Sequence, residues 1–390
     1  MDEPSAQLQV DLRESVTDAL KSRRPVLHHL NADSSWLLQI PRPITAVKRG
    51  GRYYFNILID PWLSGPQSDL ASWFSQQWHA TESKVGSIAA VEELVRQTEI
   101  LASGIRLGYG RKSNVDELLA NGDIHSFIDV VAISHEFTDH CHKETLHEIN
   151  KDVPVIATAK AASLVKSWSH FRTVLETPPF GGKNLDWHAT AVPPLPEWLG
   201  ISRLVSRGDA LYYHSALMIS FNNGVSTDGQ NGTNGHIGGT PYSDEPDAAE
   251  AVIYTPHGIH HETLKMVTEA SPRIRTLAFL HGLHDVSIDW GQQLNLGAHN
   301  GLQAQRLLNA KYWVGTHDEV KKGGGLVAWF LRRKVISLGD ALEKELKAEG
   351  NRKNGAITNG SNDAELQNVL ESFEGTNWVE IGNGESRVLL

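Results

Sequence analysis

The apolar run Phe127 to Ile133 (FIDVVAI) breaks directly into Ser134-His135-Glu136-Phe137-Thr138-Asp139-His140, and this junction constrains the chain more than any other. The run reads as a buried strand, and the polar segment after it cannot be a metal-binding helix of the His-Glu-x-x-His type. His135 and His140 are five residues apart, which turns them by roughly 140° on an ideal helix, away from a shared face. A strand ending at Ile133, a turn, and a helix starting near Asp139 would instead aim His135, Asp139 and His140 into one space at a sheet edge. Such edges are where α/β folds set their sites. The plainer alternative is an exposed turn in which Asp139 caps the helix. Against it, four later strand ends also bear histidine, in a chain that holds 19 of them.

The surrounding elements agree with this architecture. Ser35 to Ile40 and Arg52 to Ile59 (RYYFNILI) read as a hairpin that stops at Asp60-Pro61-Trp62, where proline ends the ladder. A helix is expected from roughly Val85 to Thr98, a strand over Val153 to Ala157 and a helix over Lys160 to Trp168. Later apolar runs are Leu217 to Phe221, Ala251 to Tyr254, Leu277 to Leu280 and Tyr312 to Val314. Strands alternating with helices indicate an α/β fold. The expected organisation is a flexible N-terminal arm over 1–32, one domain over 33–345 and a mostly flexible tail over 346–390. A Gly-, Asn- and Ser-rich disordered insertion is expected at about 222–250.

Composition removes several function classes. A net charge of -10 with no long Lys/Arg run argues against a nucleic-acid partner, and Lys321-Lys322 and Arg332-Arg333-Lys334 read as solvated helix faces. The single cysteine, Cys141, excludes a disulfide framework and a multi-cysteine zinc site; it reads as a buried bystander. The sequence shows neither a signal peptide nor an apolar stretch long enough to span a membrane, so the expected location is the cytoplasm and the expected partner a small molecule. There is no G-x-S-x-G elbow, and Gly108-Tyr109-Gly110 lacks the third glycine of a dinucleotide fingerprint. His260, His261, His281, His284 and His299 read as turn or pocket-lining residues, and Trp62 to Trp78 as an apolar pocket wall.

On these residues the sequence resembles the metallo-β-lactamase fold superfamily, with a late segment, Gly297 to Glu319, similar to the ascorbate-phosphate-lactonase-like branch. His135-x-Phe137-x-Asp139-His140 matches the H-x-H-x-D-H core at all but one position. Asp60 matches an earlier aspartate, His214 an isolated histidine, His257 the position of a bridging aspartate, and His317 the last ligand. The resemblance spans about residues 36 to 335 and implies a four-layer αββα sandwich. It implies metal ligands among His135, Asp139, His140, His214, His257 and His317, with Asp60 supporting them from behind.

Two departures alter that implication. Phe137 cannot bind a metal, and His257 brings no negative charge to bridge two dications about 3.5–4 Å apart. One ion is therefore expected, held by Asp139, His140, His257 and His317, with His135 and His214 as spare ligands or proton-handling groups. Nitrogen and oxygen donors suit zinc, with iron, manganese or nickel as alternatives. The expected chemistry is hydrolysis of an ester, lactone, thioester or phosphodiester, because a bound zinc brings the pKa of its water to roughly 7. Asp139 would orient that water, and His135 or His214 would move a proton. The competing expectation is a non-catalytic scaffold whose site has decayed.

Overall fold

In the computed structural model the described residues are 17, 19, 21–47, 51–68, 75–107, 125–205, 213–225, 247–288, 292–319, 321–324, 329–353 and 375–390. Val26–His29 (β1), Trp36–Pro41 (β2) and Tyr54–Ile59 (β3) are antiparallel neighbours, with Leu38 opposite Ile57. Gln76–His79 (β4) leaves this sheet, and the helix Ile88–Leu107 (α1) comes next. Val130–Ile133 (β5), Val155–Ala157 (β6) and Val174–Glu176 (β7) then add in parallel to β3. Lys143–Glu148 (α2) and Ala159–Ser167 (α3) connect these parallel strands.

The second sheet begins with an antiparallel meander of Leu199–Val205 (β8), Ser215–Phe221 (β9) and Ala249–Thr255 (β10). Lys265–Thr268 (α4) leads into Ile274–His281 (β11), parallel to β10. Asp285–Ile288 (β12) and Gln292–Asn295 (β13) form a side hairpin before Ala298–Leu308 (α5). Tyr312–Val314 (β14) returns parallel to β11, and then come Lys321–Gly324 (β15), Leu331–Lys334 (β16) and Leu338–Lys353 (α6). Trp378–Val379 (β17) and Ser386–Val388 (β18) close the chain. The main sheets run β18-β1-β2-β3-β5-β6-β7 and β17-β14-β11-β10-β9-β8.

Strand alternation explains the layers. Trp36, Leu38, Ile57 and Ile59 on one sheet meet Leu217, Ile219, Val252 and Leu280 on the other. Their neighbours Leu37, Leu58, Val131 and Ile133 turn outward onto Val91, Val95, Leu146 and Val165 of the first helical layer. Met218, Ile253, Phe279 and Trp313 do the same against Leu264, Leu302 and Leu342 of the second. The result is helix, sheet, sheet, helix: the αββα sandwich that the resemblance implies. Both faces of each sheet are covered, which is why the strands read as continuous apolar runs.

The edges of the sandwich differ from the 33–345 expectation. β1 pairs with β18, Val26 facing Val388, and β17 pairs with β14, so parts of both ends are strands of the sheets. Leu27, Ile381 and Leu389 belong to the core between the sheets. Strands this short carry no periodic signal, and their burial is decided by partners hundreds of residues away. Most of the arm, of the insertion at 222–250 and of the central tail lies outside the described residues. Lys321 and Arg332 to Lys334 sit on strands, β15 and β16, not on helix faces. Among the described residues no helix is long and apolar enough to cross a membrane.

Candidate metal centre

The site lies where parallel strands end. Asp60 comes directly after β3 in the left-handed region (φ 43), a conformation aspartate tolerates better than most residues. Its backbone N–H donates to Ala132 O at 3.1 Å, and its carboxylate accepts from Ser134 N at 2.7 Å, from Ser134 Oγ and from the Tyr254 hydroxyl at 2.9 Å. So held, Asp60 Oδ2 lies 2.9 Å from His140 Nδ1. That contact favours a proton on Nδ1 and leaves Nε2 facing the pocket. Asp60 thus stands behind the His140 ring and belongs to neither group of possible ligands.

His257 is built in the same way. It lies just past β10, and its Nδ1 is 2.9 Å from Asn295 Oδ1, at the end of β13. Its Nε2 then meets His140 Nε2 at 3.1 Å. His317 lies just past β14 at φ 62, a strained conformation costing about 1 kcal/mol or more for a residue with a Cβ. Its Nδ1 lies 2.7 Å from Asp33 Oδ1. One ring nitrogen from each of His140, His257 and His317 lies within 4.8 Å of the others.

The electrostatics suit a cation. Burial, then the His140 and His317 rings, push His257 well below the ordinary imidazole value. Burial and Lys321 lower His317 against the pull of Asp33. Burial also works against the charge of His140, yet Asp139 and Asp60 outweigh it and hold that ring above its ordinary value. With both Nδ1 atoms turned to acceptors, the facing Nε2 atoms of His140 and His257 need a cation or a proton between them. Three imidazoles aimed inward therefore fit a divalent ion of zinc type.

Asp139 joins the same pocket through a second group of possible ligands, Asp33, Asp139 and His317. It caps no helix: α2 starts at Lys143, and His142 is its cap, accepting from Thr145 N. The helix begins later than expected because Asp139 turns into the pocket, where Lys321 Nζ lies 2.8 Å from its Oδ2. The same Nζ is 2.9 Å from Asp33 Oδ2 and 5.5 Å from the centre of the Trp62 ring. Burial alone would raise both carboxyls, but Lys321 above all holds Asp33 and Asp139 below the ordinary carboxylate range. Burial likewise opposes the Lys321 charge, and Asp139 and Asp33 win, raising its pKa.

Sequence reasoning misses Asp33 and Lys321. A signal for Asp33 exists: Asn31-Ala32-Asp33-Ser34-Ser35 is a polar segment abutting a buried strand, the same pattern as Ser134 to His140 in mirror order. Lys321 has none, because Lys321-Lys322 looks like any solvated pair. Trp62 is fully buried against His79, ring centroids 3.8 Å apart, and so walls Lys321 rather than an open pocket. Trp73 lies outside the described residues.

His135 and His214 are in neither of the two ligand groups. The His135 ring lies 4.7 Å from that of His257, and its buried Nε2 has no hydrogen-bond partner among the described residues. Burial, then His257 and His140, push its pKa well down. His214 sits behind His257, its Nδ1 3.3 Å from His257 O and its ring 5.2 Å from His260. Phe137 stacks on Tyr213 at 5.1 Å and meets His257 edge-on at 5.9 Å. His281 is a structural residue, its Nδ1 2.6 Å from Gly282 O and its pKa lowered by burial to about 4. Cys141 faces the helical core, where burial pushes the thiol pKa up and keeps it unreactive.

No known family's sequence profile matches the chain, and no curated protein matches it in sequence. Among solved structures, a possible metal-dependent hydrolase from Veillonella parvula aligns with a TM-score of 0.46 at 9% identity, over 94% of this chain and 99% of that one. The isothiocyanate hydrolase from Delia radicum gut bacteria aligns with a TM-score of 0.41 at 13% identity, over 93% and 98%. A metallo hydrolase from the archaeon Ignicoccus hospitalis aligns with a TM-score of 0.39 at 12% identity, over 93% and 97%. At such low identities and TM-scores these likenesses carry no chemistry over to this chain, whose own distances must supply it.

Proposed function

We propose that this chain is a metal-dependent hydrolase of a small organic substrate, with one zinc-type ion held by His140, His257 and His317 beside Asp139. A single observation carries the reading: two buried Nε2 atoms lie 3.1 Å apart while each ring's Nδ1 faces an acceptor. Such a pair needs a proton or a cation between its lone pairs, and with His317 beside them a zinc-type ion meets that need. Three imidazoles with a further position open is a donor set of catalytic zinc. When bound, the ion supplies Lewis acidity and lowers the pKa of water to about 7.

The chain's own groups complete the chemistry. Asp139 commits Oδ2 to Lys321, while its Oδ1 lies 3.6 Å from His140 Nε2 and faces the centre, where it orients the attacking water. His135 is kept in its neutral form by burial and by the His257 and His140 rings, and its Nε2, which has no hydrogen-bond partner among the described residues, can accept a hydrogen bond from the substrate or water. The Phe137–Tyr213 stack gives the substrate an apolar wall. Esters, lactones, thioesters and phosphodiesters are the substrate classes this machinery serves.

A second reading, a non-catalytic scaffold, is favoured by one fact: Lys321 already compensates Asp33 and Asp139 without any ion. Elemental analysis after zinc loading separates the two. The hydrolase reading expects about one zinc per chain, absent from His140→Ala and His317→Ala, with hydrolysis of one of those classes lost alongside. A wild-type chain that retains no metal supports the scaffold and ends the hydrolase reading.

A further inference from the structure

We infer that the ammonium of Lys321 occupies the second cation position of this pocket, so that the chain carries one of its two cations in its own sequence. The inference extends the reading above, because His317 belongs to both ligand groups.

Three observations converge on it. Asp33, Asp139 and His317 offer ligand atoms within 4.8 Å of one another, a group able to hold a metal ion by itself. Lys321 Nζ stands among those atoms, 2.9 Å from Asp33 Oδ2, 2.8 Å from Asp139 Oδ2 and 3.5 Å from His317 Nδ1. Its side chain is only 13% exposed, and the Trp62 ring backs the charge. An ammonium is a compact point charge with three donors, and here it faces two carboxylate oxygens and an aromatic face. A dication and this ammonium cannot share the space.

The backbone makes the placement possible. β15 pairs with β4 in a two-stranded ribbon, Lys321 opposite His79, and strand alternation turns Lys321 inward while Lys322 stays exposed. Unlike a bound ion, this cation cannot be removed by a chelator. Unlike a metal, it has no Lewis acidity, so it balances charge and leaves the chemistry to the imidazole side. The departure at His257 then has a counterpart: a bridging carboxylate is needed to hold two dications together, and a pocket with one dication and one ammonium needs none.

The test is a metal count that needs no activity. Wild type, Lys321→Ala, Lys321→Gln and Lys321→Arg are loaded with zinc, dialysed and analysed for zinc per chain. Lys321→Ala and Lys321→Gln are each expected to hold about one ion more than wild type, whereas Lys321→Arg keeps the wild-type count. Asp33→Asn added to Lys321→Gln is expected to abolish the gain. Should Lys321→Ala fail to fold, Lys321→Gln, which keeps a donor to the carboxylates, carries the test. Unchanged counts in the uncharged variants overturn the inference, as does a wild type that already holds two ions. A wild type with no zinc overturns the hydrolase reading instead, and a gain of one ion in the variants would still uphold Lys321 as the cation.

Discussion

On one side of the pocket His140, His257 and His317 gather ring nitrogens within 4.8 Å; on the other, Asp33 and Asp139 close on Lys321. The imidazole side brings donors that are neutral when deprotonated, so it tolerates the interior while it waits for an ion. The carboxylate side cannot wait, because two buried anions left alone would be driven from the fold or forced to take protons. On the proposed reading one pocket divides its labour: the half that would hold an ion is built from imidazoles, and the half already charged carries its own counterion. His140 is the link, since Asp139 and Asp60 both raise its pKa.

The contrast is broken most severely at Lys321. Without zinc, Lys321→Ala should lower unfolding stability by about 3–5 kcal/mol, the usual result of removing one partner from a buried ion pair. Urea denaturation measures this, and zinc should restore part of the loss. A variant that unfolds at the wild-type urea concentration would show that the carboxylates never needed their lysine.

Asp60→Asn acts on the imidazole side alone. Removing the carboxylate behind a ligating histidine should weaken zinc by about 10- to 100-fold and leave the lysine side intact. Competition with a chromophoric chelator reads the change. Equal zinc affinity in variant and wild type would deny Asp60 its positioning role.

Acid separates the two sides further. Burial holds His28 down to about 4, and His135, His257 and His317 are lowered as well. The unfolded chain takes up these protons first, so their contribution is full above pH 6.5 and is lost as pH falls below it; His140, raised, acts in the opposite sense. Asp33 and Asp139 are depressed, and their contribution is lost only as pH falls through the range below 3.8. Urea midpoints from about pH 7.5 to about 5 should therefore drop, and zinc should shift this limb by occupying the rings. A flat profile over that interval would contradict the buried, neutral imidazoles.

The smallest effect is expected at Cys141, which adjoins His140 in sequence but faces the helical layer. Cys141→Ala should cost about 1 kcal/mol and leave the zinc count unchanged. Loss of zinc in this variant would place the thiol at the centre after all.

Much of this arrangement is legible in single segments. A buried strand that stops at a polar turn announces Asp60, and Ser134 to His140 announce His135, Asp139 and His140. His257 and His317 are placed through a resemblance, and both reach the pocket. His214 is placed the same way, and it belongs to neither ligand group, its Nδ1 3.3 Å from His257 O and its ring 5.2 Å from His260. Helix and strand positions emerge from periodicity, but the start of α2 does not, since a cap depends on which side chain is free to turn back. His142 caps because Asp139 is engaged elsewhere.

The sequence by itself determined the alternation of strands and helices, the apolar faces that stack into four layers, and the strand ends where polar side chains collect. These are local properties: a period, a proline, a polar turn after an apolar run. Only the tertiary structure decided which of the 19 histidines meet, that Asp33 joins Asp139 from more than one hundred positions away, and that Lys321 lies between them. The physical reason is that a charge acts through space. Whether a lysine is solvated or locked between two carboxylates depends on the strand beside it, here β4, and no pattern within its own segment records that neighbour.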